Sequence, residues 1–294
     1  MKAVYITLIF LLFSCNKERN LLVFQSDFGL KDGAVAAMKG VSTSVSKDLK
    51  IYDLTHEITA YNISEAAYRL NQSASYWPAG TVFVSIVDPG VGSARKSIVM
   101  KTKTGHYFVT PDNGTLTLIA ESMGIDGVRE IDETINRRKG SEESYTFHGR
   151  DVYAYTGARL ASGTITFEEV GKPLEGEIVR LPNMNAEVKG DEIIGDIPVL
   201  DIQYGNVWTN INKNVLAKIG VKPGDSLAVS IFFKGEKKFE SVIPFTTTFA
   251  AVPVGSELAY MNSLLQLSLA INQGNFAAEH GISQGDGWTL RVKK

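Results

Sequence analysis

The segment Asp88-Pro89-Gly90-Val91-Gly92-Ser93-Ala94-Arg95 holds the residue types from which a charged site can be built. A glycine-rich turn between an aspartate and an arginine seven residues on can fold a guanidinium onto a carboxylate and leave a fixed proton acceptor. The same spacing also fits a structural turn closed by a surface ion pair of little energetic weight. A second polar cluster, Thr146-Phe147-His148-Gly149-Arg150-Asp151, sets one of only four histidines close to an arginine and an aspartate. His56, in Asp53-Leu54-Thr55-His56, is flanked in a similar way. Imidazole titrates near neutral pH, so both are candidates for proton chemistry, although a lone histidine is more often structural. The third cluster is Gly205-Asn206-Val207-Trp208-Thr209-Asn210, preceded by Asp201. An Asn amide donates and accepts together, as a purine edge demands, and an aspartate can pair with an ammonium group. Read from its residues alone, the stretch fits better as a hairpin turn with Trp208 packed behind it.

These clusters need elements to hold them. Four short apolar runs, 21–24, 50–54, 81–87 and 107–110, each carry or lead into a polar, aspartate-bearing turn. Such Val- and Ile-rich runs are the pattern of strands buried on both faces. Helical patterns over 34–44, 63–77 and 115–123 separate them. The alternation predicts a mostly parallel α/β sheet with right-handed crossovers, whose ligands bind beyond the carboxyl ends of the strands. Near Asp191 the texture changes: strand-like runs at 192–201, 226–233, 238–243 and 287–292 alternate with Gly, Pro and Asp turns. That spacing predicts an all-β, barrel-like or sandwich module with one helical segment at 257–270. The expected division is an N-terminal α/β domain over 21–185 and a C-terminal β domain over 190–294, with the linker within 181–190.

Thirty Lys and Arg against 32 Asp and Glu leave a formal charge of −2, which removes the electrostatic case for a nucleic-acid partner. Hydrophobic and charged contents of 44% and 21% are those of a folded protein. One cysteine excludes an internal disulfide and a thiolate metal cluster. There is no Walker lysine loop, no His-Glu-x-x-His, no Gly-x-Ser-x-Gly and no Gly-x-Gly-x-x-Gly after the first strand. Asp27-Phe28-Gly29 and His148-Gly149-Arg150-Asp151 echo kinase motifs, but in the opposite order to a kinase. At the start, Met1-Lys2 precedes an apolar run of 11 residues, 3–13, and then Ser14-Cys15-Asn16. The run is short of the ~20 residues of a bilayer span and fits a secretory signal, the alternative being a buried N-terminal strand. Leu12-Phe13-Ser14-Cys15 resembles a bacterial lipobox. That resemblance implies cleavage before Cys15, acylation of its thiol, and export as a membrane-anchored lipoprotein on the periplasmic or outer-surface face. In a cell with two membranes, Asn16 in place of an Asp resembles the lipoproteins that pass on to the outer membrane; which membrane and leaflet stays open at this point.

Six motifs in register resemble one family. They are Ser-Asp-Phe-Gly at 26–29, Asp-x-Thr-His at 53–56, Val-Asp-Pro-Gly-Val-Gly at 87–92, Pro-Asp-Asn-Gly at 111–114, Thr-Phe-His-Gly-Arg-Asp at 146–151 and Gly-Asn-Val-Trp-Thr-Asn at 205–210. The family is that of the S-adenosyl-L-methionine (SAM) hydroxide adenosyltransferases, or adenosine-forming SAM hydrolases, related to SAM-dependent fluorinases and chlorinases. The likeness covers about 21–294.

The resemblance implies an in-line attack on the ribose C5′ of SAM that expels methionine as a neutral thioether, with no cofactor and no metal. In the water-using branch an Asp, an Arg and a His serve the nucleophile, and these map to Asp88, Arg95 and His148. Asp27 resembles the carboxylate that bridges the ribose hydroxyls, with Asp32 supporting its turn. Tyr61, Phe147, Tyr204 and Phe249 resemble the aromatic enclosure of the adenine, Asn206 its reader, and the Ala277 backbone a neighbour of it. Asp201 and Ser263 resemble the contacts to the methionine ammonium and carboxylate, while Leu264 stands where halogenases carry an Arg. Halogenating relatives also place a tyrosine-type residue at Asp88 and a serine or glycine at Gly149, and insert a long segment where 101–106 here joins two strands directly. A carboxylate repels a halide and suits a neutral water. The resemblance further implies a homotrimer with its sites between subunits. Two alternatives stay open at this point: a non-catalytic SAM- or adenosine-binding lipoprotein, and a halogenase.

Overall fold

The computed structural model describes residues 21–182 and 185–294. The leader, Cys15 and the tether 16–20 lie outside the described residues, as do Asn183 and Met184 of the expected linker. The N-terminal sheet is built from β1 (Leu21–Ser26), β2 (Lys50–Thr55), β3 (Val82–Ile86), β4 (Ser97–Thr102), β5 (Tyr107–Pro111) and β6 (Ile125–Glu130), in the order β2-β1-β3-β5-β4-β6. The helices of this half are α1 (Ala34–Val45), α2 (Ile63–Ala74), α3 (Thr117–Met123), the short α4 (Glu133–Asn136) and α5 (Tyr155–Ala161), the last entered through a π-helical turn, Gly149–Ala154.

Alternate side chains of the strands enter different cores. Leu22, Phe24, Val82, Val84, Ile86, Val99 and Val109 pack against α1, the π-turn and α5. Val23, Phe83, Ile98, Met100 and Phe108 pack against α2 and α3 on the other face. The three-layer α/β arrangement follows from the apolar runs. The sheet is mostly parallel as expected, β4 alone running antiparallel between β5 and β6. One detail differs from expectation. Residues 50–54 form an edge strand with Lys50, Tyr52 and Asp53 exposed, not a strand buried on both faces.

The C-terminal half comprises β7 (Glu187–Lys189), β8 (Glu192–Asp196), β9 (Val199–Asp201), β10 (Asn206–Asn212), α6 (Lys213–Ala217), β11 (Ser226–Phe233), β12 (Glu236–Pro244), β13 (Glu257–Met261), β14 (Gln266–Ile271), α7 (Phe276–His280) and β15 (Trp288–Lys293). Two antiparallel sheets, β13-β14-β10-β9 and β12-β11-β15-β8-β7, close on one core that includes Val207, Leu267, Leu269, Val229, Ile231 and Leu290. The expected helix at 257–270 is a β-hairpin. Asn262 Oδ1 accepts the N–H groups of Leu264 and Gln266, Leu265 takes a φ of 57°, and the chain reverses there. Leu267, Leu269 and Ile271 then alternate into the core, a period of two that the surrounding leucines disguised. The last residues of the expected linker are also ordered as β7, which pairs with β8.

The halves meet where α2 crosses β9 and β10. Tyr68 donates to Gln266, Arg69 donates to the Leu200 carbonyl at 2.7 Å, and Tyr68, Val199 and Trp208 share a small apolar cluster.

Candidate active site

Strands β1, β2, β3 and β5 run parallel, so Ser26-Asp27, Thr55-His56, Val87-Asp88 and Pro111-Asp112 emerge at one edge of the sheet. After β3 the chain turns through Gly90, where a Cβ would stand 3.3 Å from Arg95 Cγ, and Arg95 folds back onto Asp88. Its Nε donates to Asp88 Oδ1 at 2.9 Å and its Nη2 to Oδ2 at 2.5 Å, a two-pronged grip. Both side chains are largely enclosed, 11% and 7% exposed, so this is no surface ion pair. Nη1 donates to Ser97 Oγ at 3.0 Å, and the guanidinium lies 5.5 Å from the centre of the Tyr153 ring. Burial alone would loosen the Arg95 proton, but the Asp88 hydrogen bond and the nearby Tyr153, Asp88 and Glu133 more than offset it and its pKa lies above the ordinary arginine value.

His148 comes to the same guanidinium from the start of the π-turn, a distortion often found at functional sites. Its Nδ1 lies 3.0 Å from Arg95 Nη2. Burial is the largest influence on the ring and pushes its pKa below the ordinary histidine value. Glu133 and Asp88 pull upward, and Arg95 and Arg137 push further down. Asp88, Arg95 and His148, far apart in sequence, thus form one contiguous group.

That group borders a cavity of about 280 Å³ lined also by Asp27, Phe28, Tyr61, Phe147 and Gly149. Asp27 Oδ2 accepts the Tyr61 N–H at 2.9 Å, and Tyr61 adopts a φ of 67°, a left-handed conformation that aromatic residues rarely take. A chain of hydrogen bonds, buried at Ser26 and His56 and partly exposed at the Asp53 and Lys39 side chains, braces the Asp27 turn from behind. Ser26 Oγ meets His56 Nδ1 at 2.7 Å, His56 Nε2 meets Asp53 Oδ1 at 3.1 Å, and Lys39 Nζ donates to Asp53 Oδ2 at 2.6 Å. The order Ser-His-Asp is that of a nucleophilic triad, but Ser26 is fully buried and also accepts the Phe28 N–H, so the chain acts as a brace. Asn113 Nδ2 likewise donates to the Val87 carbonyl at 2.8 Å and steadies the residue before Asp88. The motifs at 53–56 and 111–114 therefore hold the site without lining it.

The remaining candidates gather elsewhere. Asp201, Tyr204, Asn206, Phe249 and Ser263 line a second, open cavity of about 860 Å³ that shares no residue with the first. The 205–210 stretch is indeed part of a β9–β10 hairpin with Trp208 against Tyr68, and its turn also opens onto this cavity. Asn206 Nδ2 donates to Asp201 Oδ2 at 3.2 Å. Asp32 lies outside both cavities and accepts the Ala34 N–H at the start of α1. Ala277 is also apart: its N–H is given to the Gly205 carbonyl, and its own carbonyl accepts from Ile282. Four further residues reach the sites unannounced. Ser97 and Tyr153 stand behind Arg95, Arg137 lies beside His148, and Tyr260 lies in the second cavity, 4.9 Å ring to ring from Phe249. Nothing along the chain marks them out, Arg137 sitting in the basic run Arg137-Arg138-Lys139.

Known proteins resemble this chain over most of its length. The model of the SAM hydroxide adenosyltransferase N-terminal domain matches residues 22–171, and that of the C-terminal domain matches 195–289. A protein of Methanocaldococcus jannaschii named (R)-S-adenosyl-L-methionine hydrolase is 38% identical over 73% of this chain and 74% of its own. One of the same name from Salinispora tropica is 33% identical over 92% and 96%. A fluorinase of Nocardia brasiliensis is 30% identical over 94% and 98%. The crystal structure of an uncharacterized conserved protein from Thermotoga maritima has a TM-score of 0.83 and 33% identity, covering 93% of this chain and 100% of that one.

The brace behind Asp27 is testable without any ligand. His56→Ala removes the partner of both Ser26 and Asp53, so the unfolding free energy should fall by about 1–3 kcal/mol. In hydrogen exchange the Gly29 amide, bonded to the His56 carbonyl at 2.7 Å, should lose protection before the sheet does. An unchanged denaturation midpoint would mean that the brace carries no load.

Proposed function

The chain belongs to the SAM hydroxide adenosyltransferase family, and on that premise we propose that it is a SAM hydrolase, releasing adenosine and L-methionine. Water oxygen forms a bond to the ribose C5′ as the C5′–S bond breaks, and its electron pair leaves on sulfur. The positive charge of the sulfonium departs with the proton lost from water. The observation that carries the reading is the buried Asp88 carboxylate, fixed by Arg95 with His148 on the same guanidinium, at the wall of a cavity that also presents Asp27. Asp88 orients the water and accepts its proton, so the chemistry rests on positioning and exclusion of bulk solvent. A halide nucleophile is disfavoured by that carboxylate. A side chain at Gly149 would also need Phe28 to move, since a Cβ there stands 3.0 Å from Phe28 Cζ.

The substrate is assigned to both cavities at once. Asp27 takes the ribose hydroxyls; Asn206 reads the adenine between Tyr61, Phe147, Tyr204 and Phe249; and Asp201 and Ser263 take the amino-acid end. Tyr61 and Tyr204 are 73% and 65% exposed, as rings awaiting a partner surface would be. The cavities do not join within one chain, which supports a homotrimer whose sites pair the first cavity of one subunit with the second cavity of its neighbour. Ala277, its backbone groups already used, is left with at most an apolar contact. The leader at 1–15 supports export and lipid attachment through Cys15.

Asp88→Asn should lower the rate of adenosine release from SAM in halide-free buffer by about 10²–10⁴-fold with little change in KM. Undiminished turnover would remove Asp88 from the mechanism, and a wild-type protein that binds SAM without turnover would be a receptor. Co-expressing an Asp88→Asn chain with an Asn206→Ala chain should restore part of the activity that each lacks alone, because mixed trimers contain an intact pair of half-sites. No recovery would place each site within a single chain. Cys15→Ser, expressed from the full-length sequence in a bacterial host, should abolish acylation and move the protein from the membrane to the soluble fraction; retention at the membrane would exclude the lipid anchor.

A further inference from the structure

We propose that Arg137 is a positioning residue of the reaction centre: Arg95 fixes which nitrogen of the His148 ring carries the proton, and Arg137, a cation at the other end of the ring, keeps a second proton off it. The proposal rests on the hydrolase reading for its consequence, not for its geometry.

Arg137 follows α4 and is buried, its side chain 7% exposed. Nη1 donates to Glu133 Oε2 at 2.9 Å, and Nη2 donates to the carbonyls of Ser144 and Ser141 at 2.7 and 3.2 Å. The guanidinium lies 4.5 Å over the Tyr145 ring, which meets His148 edge-on at 6.1 Å. Its Nε is buried with no acceptor. A surface arginine has no need of such a seat. The seat brings Nη1 to 3.5 Å from His148 Nε2, while Arg95 Nη2 stands 3.0 Å from Nδ1.

A guanidinium can only donate. At 3.0 Å from Arg95, Nδ1 must accept, so the proton of the neutral ring sits on Nε2, and Arg137 stands off at the longer distance. A second proton, on Nδ1, would set N–H against N–H at that contact with a cation at each end of the ring. Two carboxylates pull the other way, Asp88 from the turn after β3 and Glu133 from α4. Arg95 on that same turn and Arg137 after α4 supply the opposing positive charge, Tyr145 and Tyr153 are the neighbouring phenols, and burial sides with the arginines. Arg137 also neutralises Glu133, so it weighs twice in keeping the ring uncharged. The consequence is electrostatic. SAM arrives as a sulfonium cation, and a neutral His148 spares it a further positive charge beside the reacting carbon.

The purified full-length protein labelled with ¹³C at histidine Cε1 shows only four signals, of which His148 is assigned by its loss in His148→Gln. In the wild type His148 should titrate below the ordinary value of about 6.5, as the Nε2–H tautomer. Arg137→Met should move that titration up by about one unit or more, Glu133→Gln should move it down, and Arg137→Lys should restore most of the wild-type position. The acid limb of kcat/KM for SAM should rise with the Arg137→Met shift, while the rate at alkaline pH stays within about threefold. Shifts in the same direction for Arg137→Met and Glu133→Gln, no shift in either, or an equal loss of rate at every pH would overturn the proposal. The titration needs no substrate, so a wild type that fails to hydrolyse SAM would count against the hydrolase reading, and the grip on His148 would be decided by the NMR shifts alone.

Discussion

Burying Asp88 and Arg95 together strips each of its hydration, and neither could stay at the low-dielectric end of the sheet without the other. The two-pronged contact between them is therefore a constraint that the neighbouring residues must satisfy. Gly90 leaves room for the arginine to fold back, and Ser97 takes the remaining guanidinium edge. Asn113 steadies the chain just before the aspartate. His148 completes the set from a helix that begins with a π-turn. Parallel strands are what make this economical, since each delivers its polar terminal residues to the same edge while its apolar length stays between two layers of helices.

Three departures from local preference lie around this edge. Tyr61 holds a left-handed backbone, Arg137 buries an unpartnered N–H, and the chain from His148 winds too wide for an α-helix. Each costs stability, and each is held by packing elsewhere, as strain at functional sites commonly is. The cores beneath are regular by comparison. Phe83 and Phe108 stack at 5.0 Å within the sheet, and the C-terminal strands interleave one continuous apolar core.

A site that must hold one water and exclude bulk solvent is poorly served by two open hollows. The first hollow offers the charged group and Asp27, and the second offers the amide, aromatic and hydroxyl groups suited to a nucleoside and an amino acid. Their separation within one chain is the reason for the proposed assembly, in which a neighbour would supply what desolvation and orientation demand.

Much was legible in the sequence because it is local. Apolar runs ending in aspartate turns marked the parallel strands and the edge where a site would form, and six short motifs in order marked the family. What the sequence could not decide depends on pairing between distant segments. The 257–270 stretch carries enough leucine to pass for a helix, and only the partner strands on either side select its two-residue period. Residues 50–54 read as a buried strand, but burial on the second face needs a neighbour that the sheet order does not provide. His56 and His148 look alike in the sequence, yet one became a brace and the other joined Arg95, since burial and partners alone distinguish them. Arg137 sits in the basic run Arg137-Arg138-Lys139, and nothing along the chain marks it out; α4 and the loop around Tyr145 enclose it. The sequence by itself determined which residue types were available and roughly where the chain would turn. The tertiary structure decided which of them meet, because hydrogen bonds and charges act over a few ångströms of space, whatever their separation along the chain.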